Sequence, residues 1–325
     1  MMNYFGWIDF SRKDRELARD IIAALNDKGA VDEMGIGVIR DAFSDYFFPG
    51  TSTIQTSAKY FFLVSYQLEN LTRFPVPNPE RVLRENEREC SFAMWKSLSP
   101  EKRKKEGIFG RTFFERGAKD WVKRTPSVIY WRGIRELGFW RCDNELSLQE
   151  FLRVSSSREA IAVESDEDLK NGKKRAPDYE KSWHWNLPPP EARGNWQNSP
   201  DIKLTPGEAR FFLEQITHEQ PDSMFAFLAP FRRELPARFA DIGELELPAH
   251  LREAWLLAEK FSEFMWPAQL RFNALLGNEE AIAHWDDYET EWLAEAAEEV
   301  DLNAIFSFLK LEAHRQLRHF LEKLE

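Results

Sequence analysis

The sequence predicts a mainly α-helical protein: a helical N-terminal domain with a helix-turn-helix-like segment, winged or not, linked to a C-terminal helical bundle. Three observations support this fold class. Apolar residues recur every three or four positions in one segment after another. Capping patterns precede several of these segments, and proline or glycine separates them. A chain of 325 residues is long enough for about two domains.

Composition shifts indicate where those domains end. We expect an N-terminal domain over residues 1–154 and a C-terminal helical domain over 204–325. Between them, residues 155–203 are rich in serine, proline and charge, which is typical of a linker or a surface excursion. Three tryptophans are unusual in a disordered linker, so we expect part of this segment to pack on a core. They are Trp183, Trp185 and Trp196.

Local signals place several helices in the N-terminal domain. A helix begins at a Ser11 cap and ends at Gly29, and another covers residues 35–47, where one apolar stripe faces a core. Asn78 followed by proline is a cap with proline at the first helical position, so we expect a helix from there to about Leu98.

A sharp corner follows the 35–47 helix. Pro49 disfavours helix at the preceding residue, and Gly50 permits a left-handed turn. Ser52 is then predicted to cap a helix over 52–70, with Gln55 completing a capping box. This helix is apolar on every side around residues 60–66 and is therefore central, although a strand is the alternative for so short an apolar run.

The corner also offers a candidate anion site. Its hydroxyl groups would lie at a helix N-terminus, where backbone amides are free, so a DNA phosphate could bind there. Simple capping explains the same residues equally well. These candidates are Thr51, Ser52 and Thr53.

The charge distribution bears on possible partners. The net charge of −11 argues against general affinity for nucleic acid. Residues 101–141, however, hold 12 basic and 5 acidic residues, a net of +7 against −18 for the rest of the chain. Such asymmetry can mark one binding face on an acidic body, although solvated helices give the same pattern. We expect this window to form one contiguous positive surface, and we expect any DNA binding to be weak and to fall steeply with salt.

The basic window has the outline of a helix-turn-helix, over residues 107–141. We expect one helix from Arg111 to Lys123 and, after a Thr-Pro-Ser restart, a second short helix ending at Gly138. The alternative is a plain helical hairpin whose arginines pair with nearby acids such as Glu136. The candidate nucleic-acid-binding residues are Arg111, Arg116, Lys119, Lys123, Arg124, Arg132 and Arg135.

In the C-terminal part, Thr205 is followed by a proline and, three residues on, by a glutamate, which predicts a capped helix. Further helices are expected near 222–230, 248–276, 279–299 and 301–324, with a strongly acidic run from Glu289 to Asp301.

No constellation for catalysis is evident, and we predict no cofactor and no metal site. A P-loop is absent, no two histidines form a His-x-x-x-His pattern, and neither cysteine lies near a histidine in the sequence. Asp41 and Asp45 share one helix face and could bind a cation, but a structural role is favoured. Cys90 and Cys142 are too few for a disulfide framework. Without a secretory signal or a long apolar run, we expect a cytoplasmic protein with no membrane contact.

Nine short blocks occur in a fixed order along the chain. They are Gly6–Ser11, Met34–Ser44, Phe48–Thr53, Gly107–Arg111, Arg124–Trp131, Leu137–Gly138, Leu204–Ala209, Phe261–Ser262 and Arg271–Asn273. Together these blocks resemble a bacterial family of unknown function. The resemblance implies a setting in gene islands for defence against phage, often beside helicase or phospholipase-D-like genes, without implying a chemistry.

These observations predict a non-enzymatic accessory protein of a bacterial defence system that binds nucleic acid such as DNA, or a helicase or nuclease of the same locus. Two alternatives stay open. One is a protein-interaction scaffold without nucleic-acid contact, whose acidic C-terminal helices bind the partner. The other is a metal-dependent nuclease that uses Asp41 and Asp45.

Overall fold

The computed structural model describes residues 36–118, 120–142, 146–163, 183–234, 239–279, 281–285 and 302–309. The predicted helix from Ser11 to Gly29, the acidic run and most of the helices expected over 279–299 and 301–324 lie outside these residues. The chain divides into two compact units. The central unit is Phe48–Pro230, and the flanking unit comprises the described parts of Met1–Phe47 and Phe231–Glu325.

The described chain is mainly helical, which confirms the predicted fold class. Two short strands, β1 (Trp140–Cys142) and β2 (Trp183–Trp185), form an antiparallel pair. The helices are α1 (Ile36–Phe47), α2 (Lys59–Arg73), α3 (Pro79–Ser97), α4 (Pro100–Lys105), α5 (Arg111–Glu115), α6 (Pro126–Glu136), α7 (Leu148–Val163), α8 (Pro206–Glu219), α9 (Met224–Leu228), α10 (Phe239–Ile242), α11 (Ala249–Leu275) and α12 (Leu302–Phe308).

Helix α2 forms the centre of the central unit. It is buried on all sides along most of its length, as its apolar sequence indicates. Phe61 packs edge-on against Tyr130 of α6, with ring centroids 4.9 Å apart, and Phe62 packs in the same way against Phe139 at 5.1 Å. The apolar run is therefore helical, and the strand alternative for residues 60–66 is wrong.

Several helix ends follow the local sequence signals. The Asn78 side chain accepts a hydrogen bond from the Arg81 amide at 3.1 Å, and Thr205 and Glu208 form the predicted capping box at α8. Helix α6 ends as expected at Gly138, which has a φ of +67°. These features depend only on residues a few positions apart, which is why the sequence predicts them.

The start of α2 differs from the prediction. Ser52 does not cap it, because α2 begins at Lys59 and Ala58, which precedes the helix, makes no side-chain cap. Residues before Lys59 are instead held by α6. The Tyr130 hydroxyl accepts a hydrogen bond from the Thr56 amide at 2.8 Å and donates one to the Ser57 carbonyl at 2.9 Å. A tertiary contact thus keeps this segment out of the helix.

The corner before α2 packs directly on the backbone of α6. Gly50 has a φ of +76°, which favours glycine. A Cβ atom on Gly133 of α6 would lie only 2.1 Å from the Gly50 carbonyl oxygen and 2.7 Å from the ring of Phe61. Two glycines therefore allow the corner and α6 to approach more closely than any side chain would permit.

The segment predicted to be a linker contributes strongly to the core. In the strand pair, Trp140 lies opposite Trp185, and Trp183 and Trp185 pack around Phe151 of α7. The Trp196 ring lies 5.3 Å from that of Tyr66. These contacts confirm that the tryptophans pack on a core. Helix α8 packs on the same core through Phe212 and Ile216.

A buried ion pair joins α8 to α2. The Lys59 ammonium donates to both carboxylate oxygens of Glu208, at 2.9 and 2.7 Å, and the two side chains are almost completely buried. The Tyr66 hydroxyl donates to the same carboxylate at 3.1 Å. Burial and this carboxylate raise the pKa of Tyr66 well above its ordinary value. The Glu208 carboxylate thus has donors on α2, far from it in the sequence, in addition to the Thr205 amide of its own capping box.

The flanking unit is also helical. Its long helix α11 matches the prediction for residues 248–276 closely. Phe43 of α1 packs against Phe261 of α11, with ring centroids 6.2 Å apart, and Tyr46 packs edge-on against Phe308 of α12 at 5.2 Å. The apolar stripe of the 35–47 helix therefore faces a core, as expected.

Candidate nucleic-acid interface

Helix α4 concentrates positive charge at the surface of the central unit. None of its residues is buried, and its last four are Lys102, Arg103, Lys104 and Lys105. Successive helix residues point about 100° apart. Arg103 faces α3. Lys102, Lys104 and Lys105 therefore lie on the other sides of this short helix, and all three are exposed.

Arg103 fixes α4 to the end of α3. Its Nε donates to the Trp95 carbonyl at 2.8 Å and its Nη2 to the Lys96 carbonyl at 3.2 Å. Its guanidinium carbon lies 4.1 Å from the centroid of the Trp95 ring, a cation–π distance. These carbonyls belong to the C-terminal end of α3, where a cation is favoured by the helix dipole. One arginine thereby orients the lysines on either side of it.

Two further basic residues adjoin α4. The Arg111 Nη1 donates to the Lys104 carbonyl at 2.6 Å, which places the first residue of α5 against α4. Lys96, at the end of α3, is exposed beside the Arg103 contact. We refer below to Lys96, Lys102, Lys104, Lys105 and Arg111 as the α4 patch.

The charge of the α4 patch is little compensated. Its four lysines make no ion pair with any residue in the described part of the chain. Arg111, the fifth residue of the α4 patch, does form an ion pair, since its Nε lies 3.7 Å from a carboxylate oxygen of Glu115. Glu101 and Glu106 lie near the two ends of α4. They are outnumbered by the basic residues around them, so the net charge of the region is positive. Exposed charges of this kind attract anions at long range and are screened by salt.

The predicted binding residues do not all belong to this surface. Arg111 does, and Arg116 is exposed at the end of α5. Lys123 and Arg124 are exposed in the loop before α6, and Lys119 lies outside the described residues. In this loop the Trp121 indole lies against Gly110, at the start of α5. The contact is so close that a Cβ atom on Gly110 would clash with the indole.

The first helix of the predicted helix-turn-helix is shorter than expected. It was predicted from Arg111 to Lys123, but α5 ends at Glu115. Gly117 has a φ of +62° and its amide donates to the Phe114 carbonyl, while the Ala118 amide donates to the Phe113 carbonyl. This pair of bonds is a Schellman motif, which ends a helix. The prediction was therefore wrong because Gly117 is a stop signal.

The second helix of that outline is largely buried. Six of its eleven residues are buried, among them Ile134 and Tyr130, and Tyr130 packs edge-on against Phe61 of α2. Arg132 is exposed but its Nε donates to Glu136 at 2.6 Å, as in the helical-hairpin alternative, and Arg135 is half-buried. A recognition helix needs a free face to enter a groove. Val128 and Arg132 are exposed on the other side of α6, so this helix retains an accessible face and the helix-turn-helix stays a prediction.

The corner around Gly50 does not contain the helix N-terminus that was expected at Ser52. No helix begins at Ser52, so Ser52 and Thr53 do not lie at a helix N-terminus, and this argument for anion binding fails. The Thr51 hydroxyl donates to the Phe48 carbonyl at 2.7 Å, and the Gln55 amide group donates to the Gly50 carbonyl at 3.1 Å. These bonds stabilise the corner itself.

The carboxylates of the nuclease alternative lie on α1. Asp41 is exposed and accepts hydrogen bonds from its neighbour Arg40, at 2.8 and 2.9 Å. Among the residues that the structure describes, no three His, Cys, Asp or Glu side chains come together closely enough to hold a metal ion.

Sequence reasoning missed the aromatic residues beside the α4 patch. Phe92 and Trp95 lie on one face of α3, with their rings stacked at a centroid distance of 5.7 Å and an angle of 23°. Phe114 of α5 packs edge-on against Phe92 at 5.3 Å. An aromatic pair three residues apart just before a lysine-rich turn is a signal that the sequence contains. Only the structure shows that Phe92 is 42% exposed.

A buried carboxylate lies at the start of α6. One oxygen of Glu87, on α3, accepts a hydrogen bond from the Ser127 amide at 2.5 Å, and the other oxygen has no partner among the described residues. Burial raises the pKa of Glu87 to about 8, although the hydrogen bonds from Ser127 oppose this rise. The folded protein therefore holds a proton here that the unfolded chain releases at much lower pH.

The free energy of unfolding is expected to decrease as pH rises from about 5 to about 8. In that range the folded state binds one more proton at Glu87 than the unfolded state does, so stability is lost by up to about 1.4 kcal/mol per pH unit. Urea titrations across this range would measure the slope. Glu87→Gln should remove this contribution, whereas Glu85→Gln, at an exposed position of the same helix, should not. An unchanged slope in Glu87→Gln would contradict the assignment.

Sequence comparison places this chain among proteins of unknown function. Residues 2–284 match the family of unknown function DUF6361. Because the match covers most of the chain, the protein belongs to that family. No curated protein and no solved structure matches it. Among the described helices, none combines the length and the apolar character needed to cross a membrane.

Proposed function

We propose that this protein binds the phosphate backbone of nucleic acid through the α4 patch and acts as a non-enzymatic accessory protein in a bacterial defence system. The observation that supports binding most directly is a group of four exposed lysines that have no carboxylate partner among the described residues. They lie on and beside a helix that Arg103 holds in place. The defence role rests on the family resemblance alone.

The chemistry of the α4 patch favours phosphate contacts over base recognition. Lysine is a flexible point charge that suits phosphate oxygens, and such contacts carry no sequence information. With a net charge of −11, the protein as a whole repels nucleic acid. We therefore expect sequence-independent binding that is confined to this surface and strongly dependent on salt.

Replacing two lysines of the α4 patch is expected to weaken DNA binding. Lys104→Gln combined with Lys105→Gln removes two phosphate contacts while keeping residues that favour helix. The dissociation constant should rise roughly tenfold or more near 0.1 M salt, and the slope of log K against log[salt] should become shallower by about 2. Fluorescence anisotropy with a labelled oligonucleotide, repeated at several salt concentrations, measures both quantities.

A matched control changes the net charge equally at another site of the central unit. Lys203→Gln combined with Arg210→Gln should leave affinity and slope nearly unchanged, because these exposed residues lie outside the α4 patch. Arg132→Gln tests the original helix-turn-helix prediction in the same assay. A large loss with Arg132→Gln and none with the α4 double variant would move the interface to α6 and overturn the proposal.

The two alternatives give different results in the same experiments. A scaffold without nucleic-acid contact would show no binding by the wild-type protein even at low salt. A metal-dependent nuclease would cleave the labelled DNA when Mg²⁺ is added, and Asp41→Asn would abolish that cleavage.

A further inference from the structure

We infer that the nucleic acid taken by the α4 patch is single-stranded, and that one unpaired base stacks on Phe92. This inference rests on the proposed function, because it requires that the α4 patch bind phosphates. It adds an aromatic contact that a phosphate-binding surface does not need.

Phe92 contacts two other aromatic rings and is partly exposed to solvent. Its ring stacks on Trp95, whose own ring lies under the Arg103 guanidinium, and Phe114 packs edge-on against it. These contacts fix the orientation of the Phe92 ring. Nevertheless 42% of the residue is exposed, a large fraction for a phenylalanine that contacts two other rings. A flat apolar face in a fixed orientation is the surface on which an unpaired base stacks.

The charges around Phe92 indicate the path of the strand. Lys96 lies four residues later on α3 and therefore on the same face, one turn away. Beyond it, Arg103 connects α3 to the lysines of α4. Glu89, one turn before Phe92, is exposed and would repel a phosphate. The backbone on one side of the stacked base is thus expected to run toward Lys96 and α4.

This arrangement distinguishes single strands from duplexes. In a duplex the base faces are already stacked on one another, so an exposed ring at the surface gains little from them. In a single strand each base has a free face, and stacking on an aromatic side chain contributes to affinity for any base. Phe92 should therefore add affinity for single strands only, whereas the lysines should add affinity for both forms.

The test compares an oligothymidylate with a hairpin duplex of equal charge by fluorescence anisotropy. Phe92→Ala should raise the dissociation constant for the single strand about tenfold or more and leave that for the duplex within about twofold. Phe92→Tyr should retain binding because it keeps the aromatic face. Phe92→Leu, which keeps apolar packing against Trp95 and Phe114, should behave as Phe92→Ala does. Phe74→Ala, at an aromatic residue that is 71% exposed elsewhere in the central unit, is the matched control.

The outcomes separate this inference from the proposed function. If Phe92→Ala and Phe92→Leu bind the single strand as the wild type does, while the Lys104 and Lys105 variant is impaired, base stacking is wrong and phosphate binding stands. Equal losses for single strand and duplex in the Phe92 variants would also overturn the stacking. If the wild-type protein binds neither oligonucleotide, the proposed function itself fails.

Discussion

Lys59→Met is expected to lower the free energy of unfolding by about 3–5 kcal/mol. The substitution leaves the Glu208 carboxylate buried without its cation, although the Thr205 amide and the Tyr66 hydroxyl still donate to it, at 2.8 and 3.1 Å. An uncompensated buried charge is costly because water no longer solvates it. Methionine is close to lysine in length, so the loss would reflect the charge more than a cavity. Urea denaturation followed by tryptophan fluorescence measures the effect.

A double variant and a surface variant make this test specific. Combining Lys59→Met with Glu208→Gln removes both charges while an amide oxygen can still accept the hydrogen bond at the start of α8, so part of the stability should return. Arg81→Met breaks an exposed pair with Glu85 and should have almost no effect. A loss below about 1 kcal/mol for Lys59→Met would mean that this ion pair contributes little to the fold.

Gly133→Ala is the second substitution with a large expected effect. Alanine favours a helix interior over glycine by about 1 kcal/mol, so an unconstrained helix would become more stable. Here the added Cβ atom would meet the Gly50 carbonyl oxygen at 2.1 Å and the Phe61 ring at 2.7 Å. Because one neighbour is backbone, the corner must shift, and we expect a net loss of about 1–3 kcal/mol. Thermal and urea unfolding would measure it.

The control for this substitution is Gly117→Ala. Gly117 has a φ of +62°, but a Cβ atom there would meet no other atom within 4 Å. Its substitution costs backbone strain of about 1 kcal/mol without any clash. Gly133→Ala should additionally perturb α2, because the corner precedes that helix, and a change in near-ultraviolet circular dichroism would report the shifted aromatic contacts. A stabilising Gly133→Ala would show that the corner and α6 are not in tight contact.

Where local chemistry decides the structure, the sequence was a good guide. The Asn78 cap, the Thr205 capping box and the end of α6 at Gly138 all involve groups a few residues apart. The Schellman motif at Gly117 belongs to the same class and was missed. A glycine after a short basic and aromatic segment could have been interpreted as a helix stop, which would have excluded the long first helix of the helix-turn-helix.

For the candidate interface, the sequence supplied the charges but not their accessibility. The excess of basic residues over 101–141 is visible by counting. Whether each cation is exposed, paired or turned inward depends on contacts elsewhere. Arg103 faces α3 because Trp95 offers a ring and a carbonyl, and Arg132 is paired with Glu136. The three exposed lysines of α4 lie outside the predicted set of binding residues.

By itself, the sequence determined the helical class, most helix positions and the presence of one basic region, because periodicity, caps and net charge are properties of short segments. Only the tertiary structure decided where α2 begins, how the corner packs and which cations face solvent. The Tyr130 hydroxyl holds Thr56 from 74 residues away, and Lys59 meets Glu208 across 149 residues. Such contacts form when distant helices bury a shared core, and no local pattern encodes which polar groups will then meet.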